Sequence, residues 1–127
     1  GACSVFLGPG SVDPFHAHAV NSSAGSVFHL KVLQNVAMKQ LVEETRADGS
    51  EVWATAAEDG EPLPRALETS GSRMMLLLGN EGKGLSPGLQ ELADRVVSIP
   101  MPGGAESLNI AVAAAVVLFS FVMKKTG

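Results

Sequence analysis

Positive charge is the first shortage. The chain has 127 residues, with 9 Lys and Arg against 13 Asp and Glu, a formal net charge of −4 at pH 7. This balance excludes a chain that coats itself in cations to hold a polyphosphate backbone. A nucleic-acid partner would need a local patch, another segment or another subunit to supply the charge. Cysteine is nearly absent as well. Cys3 alone excludes an internal disulfide and fits a reducing compartment. It lies beside a predicted strand and is expected to be small and buried. No signal-peptide pattern opens the chain, so a cytoplasmic or organellar (mitochondrial or plastid) protein is expected, not a secreted one. There is no Met at position 1, and Gly1-Ala2-Cys3 reads as mid-domain sequence from a processed chain or a fragment. Residues 107–123 carry no charge, but they only reach the short limit of a membrane span, are rich in Ala, and open on polar Ser107 and Asn109. A buried helix is therefore expected there and no membrane association. His16-Ala17-His18 has no further His or Cys at zinc-site spacing, so no metal is expected.

What the chain does have is apolar mass. At 46% hydrophobic residues it can bury a core, and its length suits one domain rather than two. Short apolar runs ended by turn residues predict strands at 4–7, 52–56, 74–78 and 96–99, the third as a central parallel strand. Helical spacing predicts helices at 35–47, capped by Asn35 and ended by Asp48-Gly49, from Ser86-Pro87 to near Ala93, and at 106–124. Lys124 and Lys125 suit the C-terminal dipole of the last helix. In that helix Leu108, Val112, Val116, Phe119 and Met123 recur on one face, which is expected to be buried. Ser11 and Asp13 ahead of Pro14 suggest a helix start. Residues 27–32 fit either an extended or a helical piece, and residues 58–72, with two prolines, read mostly as loop. Trp53 is expected in the core or an interface. Strands alternating with helices indicate an α/β domain with a mainly parallel sheet.

Two stretches could hold chemistry. Leu78-Gly79-Asn80-Glu81-Gly82-Lys83-Gly84-Leu85 follows a strand, and its three glycines permit sharp turns and close backbone approach. It matches neither a Walker A loop, since Gly84 precedes Leu85, nor the dinucleotide fingerprint, since Pro87 takes the last glycine position. Alone it is a loop that needs glycine. In the second stretch, Ile99-Pro100-Met101 ends a strand, and Glu106-Ser107-Leu108-Asn109 heads a helix whose free N–H groups suit a ligand. Alone, its polar residues are ordinary caps.

Taken in order and about twenty residues apart, the two stretches resemble the signature of the TrmH-like (SpoU) branch of the SPOUT superfamily of RNA 2′-O-ribose methyltransferases. Leu7-Gly8-Pro9-Gly10-Ser11-Val12-Asp13-Pro14-Phe15 and Ser23-Ala24-Gly25-Ser26-Val27-Phe28 are similar to that branch too. The resemblance implies a parallel-sheet α/β trefoil knot that binds S-adenosylmethionine, acts on rRNA or tRNA and forms a homodimer. Carried over by position, it implies that Thr55, Gly79, Ile99, Met101 and Leu108 line the donor pocket, with Ile99, Met101 and Leu108 apolar enough to hold adenine. It implies that Glu81, Ser107 and Asn109 lie at or near the reacting centre, where they could orient the ribose hydroxyl and the donor.

The chain departs from the pattern in two places. Many members of the branch place a basic residue ahead of the segment matching Ser23-Ala24-Gly25, where this chain has Asn21-Ser22. Members of the branch have an Asn…Arg motif on the first helix, ahead of the segment that matches Gly1. Arg46, Arg65, Arg73 and Arg95 match neither place, and residues 1–127 are expected to be a partial SPOUT domain lacking its first strand and first helix. A degenerate SPOUT domain acting as a non-catalytic binding or scaffold subunit is the alternative.

Overall fold

The computed structural model describes residues 1–80, 82–103 and 107–127. The chain divides into two compact units, Gly1–Leu41 and Val42–Gly127.

In the first unit, β1 (Ser4–Phe6) pairs in parallel with β2 (Lys31–Leu33), Val5 opposite Val32. Between them lie α1 (Ala17–Ser22) and a 3₁₀ turn (Ser26–His29), so residues 27–32 supply both a helical and an extended piece. The helix does not begin at Pro14. Asp13 Oδ1 accepts the Phe15 N–H at 2.9 Å, which holds a turn there. His16 caps α1 instead, its Nδ1 accepting the His18 N–H at 3.3 Å. Cys3 is exposed, not buried. α2 (Met38–Ala47) starts three residues after Asn35. Asn35 has φ +53°, a left-handed geometry that asparagine tolerates and that sets it in the approach turn, not at the cap.

The second unit is a four-stranded sheet in the order β4-β6-β3-β5, made from β3 (Glu51–Thr55), β4 (Glu61–Pro62), β5 (Met74–Leu77) and β6 (Arg95–Ser98). All three pairings are parallel. Among the described residues β5 pairs with β3 and stands at the end of this four-strand order. Side chains alternate along β3 and define two core faces. Trp53 packs with Leu63, Ala66, Val97 and Val117, while Val52 and Ala54 pack with Val42 and Leu77.

α2 ends in a Schellman motif: the Gly49 N–H donates to Arg46 O and the Ser50 N–H to Thr45 O, with Gly49 at φ +80°. Residues 58–72 hold more structure than their prolines suggest. α3 (Leu63–Thr69) begins with Pro64 in its first turn, where a missing N–H costs nothing. Leu63 and Ala66, three residues apart, are buried. α4 (Pro87–Glu91) is capped by Ser86.

α5 (Ile110–Thr126) begins four residues later than expected, capped by Asn109. It is apolar on all sides, and the buried side chains are Val117 and Phe121. Of the face expected to be buried, Val112, Phe119 and Met123 are 48%, 67% and 51% exposed. The core takes the neighbouring face because Trp53 meets Phe121 edge-on, ring centroids 6.2 Å apart. Among the described residues no helix is long and apolar enough to cross a membrane.

Candidate active site

In a parallel α/β sheet the loops leaving the carboxyl ends of the strands gather at one edge, where ligands bind. Three such loops, after β3, β5 and β6, enclose a cleft of about 340 Å³ together with the head of α5. Thr55 and Ala56 come from the end of β3, Asn80 and Gly84 from the loop after β5, and Ile99 and Met101 from beyond β6. Ser107, Leu108, Asn109 and Ile110 come from the start of α5.

Local backbone rules shape each wall. Ala56 donates to Val97 O at 2.9 Å, which carries the β3–β6 pairing past Thr55. Gly60 then passes against β6. A Cβ there would lie 2.8 Å from the Ser98 nitrogen, and Ser98 Oγ donates to Gly60 O at 3.0 Å. The loop after β5 closes on itself. The Gly84 N–H donates to Asn80 O at 2.9 Å, the Lys83 N–H donates to Asn80 Oδ1 at 2.7 Å, and Gly84 sits at φ +66°. A Cβ on Gly79 would run into the backbone of Gly84 and Leu85. Glycine is required at 79 so that the loop can close, and it is Asn80 and Gly84 that face the cleft. Sequence reasoning had not singled out Asn80. Its signal was an Asn three residues ahead of Lys83 in a Gly-rich turn, the pattern of a side chain that folds back on its own backbone.

Thr55, Ile99, Met101, Ser107, Leu108 and Asn109, all singled out from the sequence, line this one cleft. Gly79 lies behind it in the supporting loop, and Glu81 lies outside the described residues, as does Glu106. Asn109 Oδ1 accepts the N–H groups of Ala111 at 2.9 Å and Val112 at 3.4 Å. That oxygen is therefore committed to capping α5. The side chains of Thr55, Ile99, Met101 and Leu108 are half-buried, while Ser107 and Asn109 are exposed.

None of the described residues lining the cleft is charged. Its volume is at the lower end of the roughly 300–1,000 Å³ of small-molecule sites, and its walls mix apolar side chains with a few neutral hydrogen-bonding groups. Such a lining suits a flat, uncharged heteroaromatic ring edged by polar atoms better than a polyphosphate.

Known proteins share this fold and sequence. The chain is 36% identical over 119 residues to the 23S rRNA (guanosine(2553)-2′-O)-methyltransferase RlmP of Bacillus subtilis, covering 94% of this chain and 47% of RlmP. It superposes on the SpoU methyltransferase AviRb of Streptomyces viridochromogenes in complex with AdoMet with a TM-score of 0.82 and 32% identity, covering 100% of this chain and 49% of AviRb. An AdoMet-bound rRNA methyltransferase of Sinorhizobium meliloti matches with a TM-score of 0.81 and 30% identity, over 97% of this chain and 46% of that one. The chain thus spans about half the length of the relatives it matches. The family model of the SpoU rRNA methylases matches residues 1–119, and the chain belongs to that family.

Proposed function

We propose that the chain is the donor-binding part of an S-adenosylmethionine-dependent enzyme that methylates ribose 2′-hydroxyls of rRNA. The observation that supports this best is the convergence of the sequence-selected residues on one uncharged cleft at the carboxyl ends of β3, β5 and β6. Ile99, Met101 and Leu108 form the apolar wall for adenine. Thr55 and the loop that closes over Gly79, with Asn80 and Gly84 in front, form the facing wall. Ser107 and Asn109 at the head of α5, with Glu81, orient the ribose hydroxyl. When bound, the donor supplies an electrophilic methyl on a sulfonium. The residues' part is to hold the hydroxyl in line with it and keep competing water out. RlmP and the Sinorhizobium meliloti protein are bacterial rRNA methyltransferases, which supports rRNA over tRNA and a cytoplasmic protein over an organellar one.

The exposed stripe of Val112, Phe119 and Met123 on α5 supports a homodimer formed along that helix. Calorimetry with S-adenosylmethionine or its demethylated product tests the reading, on this chain and on a longer version extended upstream of Gly1. Micromolar binding to the longer version is expected. A folded longer protein that binds neither compound overturns the reading.

A further inference from the structure

The net charge of −4 is not shared evenly between the two units. Residues 1–41 hold Lys31 and Lys39 against Asp13, a net charge of +1, and all three histidines. Residues 42–127 hold seven basic and twelve acidic residues, a net charge of −5. The acidic balance thus belongs to the unit that contains the cleft, and the first unit is mildly basic.

That unit also exposes aromatic surface. Phe15 and Phe28 stack on one another, ring centroids 6.1 Å apart and planes 23° from parallel. Yet they are 47% and 65% exposed. The chain has only five Phe, and leaving two of them paired in water marks a surface that meets something. Neither ring sits on a loose tip. Phe15 follows the turn held by Asp13, and His16 caps α1 directly after it. Phe28 lies in the 3₁₀ turn that Gly25 starts at φ +79°, where its N–H donates to Gly25 O at 3.1 Å. His16 and His29 are their neighbours along the chain, and Lys31 lies two residues beyond His29. All three are exposed.

We infer that the stacked Phe15–Phe28 pair, with exposed His16, His29 and Lys31 close to it along the chain, is a surface on which unpaired RNA bases stack. The inference rests on the proposed rRNA-methylating function. Single-stranded RNA is recognised by aromatic faces that take a base and by nearby donors that take phosphate or base edges. Here a stacked aromatic pair lies in the unit with a net positive charge, which also holds all three histidines and Lys31. A protein partner would want an uninterrupted apolar face. Along the chain each ring is followed at once by an exposed histidine, His16 after Phe15 and His29 after Phe28.

Fluorescence anisotropy at low salt, using the whole chain, labelled unpaired RNA decamers and a labelled RNA duplex, tests the inference. Phe15→Ala and Phe28→Ala are each expected to weaken binding of the unpaired RNA about tenfold and that of the duplex much less. Phe15→Trp and Phe28→Tyr are expected to keep it, and Lys31→Gln to flatten its salt dependence. Alanine variants that melt like wild type and bind unpaired RNA equally well overturn the inference. So does a wild-type chain that binds no RNA at ~100 µM, or alanine variants that lose self-association in light scattering but not RNA affinity. Donor calorimetry on the longer protein reports separately. Failure there sinks the proposed function, whereas intact donor binding beside unchanged RNA affinity sinks only the stacking surface.

Discussion

The guanidinium of Arg95 lies over the ring of Trp53, 5.8 Å from its centroid. Its Nε donates to Glu51 Oε2 at 3.1 Å, and the same carboxylate oxygen accepts the Trp53 Nε1–H at 2.9 Å. Arg95 Nη1 reaches Glu61 at 3.3 Å and Thr69 Oγ1 at 2.8 Å. One side chain on β6 thus ties together β3, β4 and the end of α3. Arg95→Met is expected to destabilise the fold by about 1–3 kcal/mol, because it leaves half-buried acceptors without their donor. Urea denaturation reads this, and a midpoint equal to wild type would contradict it.

Acid sensitivity follows from the same cluster. Partial burial by itself raises the Glu51 carboxyl. The hydrogen bonds from Trp53 and the Gly71 N–H, with the charge of Arg95, outweigh that and hold it below the usual carboxylate value. A carboxyl lowered in the folded state adds stability above its unfolded value and loses it as the pH falls through the folded one. Wild type is therefore expected to lose stability between about pH 5 and pH 3 more steeply than Glu51→Gln does. Parallel urea curves across that window would exclude the contribution.

Two glycines near the cleft should respond in opposite ways. Gly79→Ala places a Cβ against the backbone of Gly84 and Leu85, neither of which can swing aside. A cost of roughly 1–3 kcal/mol and weaker donor binding are expected, since Asn80 and Gly84 in the wall must move. Gly88→Ala in α4 meets nothing within 4 Å and is expected to be neutral or to stabilise by about 0.5–1 kcal/mol. Thermal melting and donor calorimetry on both variants check this. Equal behaviour of the two would refute the loop-closure argument.

α5 separates folding from association. Phe121→Ala, at a buried position beside Trp53, is expected to cost about 3–5 kcal/mol. Phe119→Asp with Met123→Lys alters only exposed positions, so it is expected to leave melting nearly unchanged while shifting a dimer to monomer in light scattering. A wild-type chain that is monomeric at high micromolar concentration, alone and extended upstream, removes the dimer.

Methyl transfer to rRNA is expected to be at least about a hundredfold slower with residues 1–127 than with a version extended upstream to include an Asn…Arg helix. Lys83 is exposed in the loop that carries the cleft residues Asn80 and Gly84 and is a cation that could substitute, so Lys83→Gln belongs in the same assay. Equal rates in the short and extended versions would show that the Arg is dispensable.

Much of this was legible in the sequence. Short apolar runs located β1, β3, β5 and β6, three of them stopped at once by Gly or Pro, because a buried parallel strand needs continuous apolar residues. Asp48-Gly49 ended α2, because only a left-handed residue completes that cap. The two glycine- and proline-marked stretches named most of the cleft lining, because loops at strand ends need those residues whatever surrounds them. Other features depended on long-range partners. α3 was hidden by its own prolines until burial of Leu63 and Ala66 settled it. The side of α5 that turns inward was open, since the helix is apolar all round and Trp53 selects the face. Gly79 looked like a point of ligand approach, and the chain folding back through Gly84 gives it another reason to be glycine. Local sequence determined where strands, turns and caps form, since those preferences act over a few residues. Tertiary packing alone decided which apolar side chains stayed in water, among them Phe15, Phe28 and Phe119, because burial depends on neighbours distant in the chain.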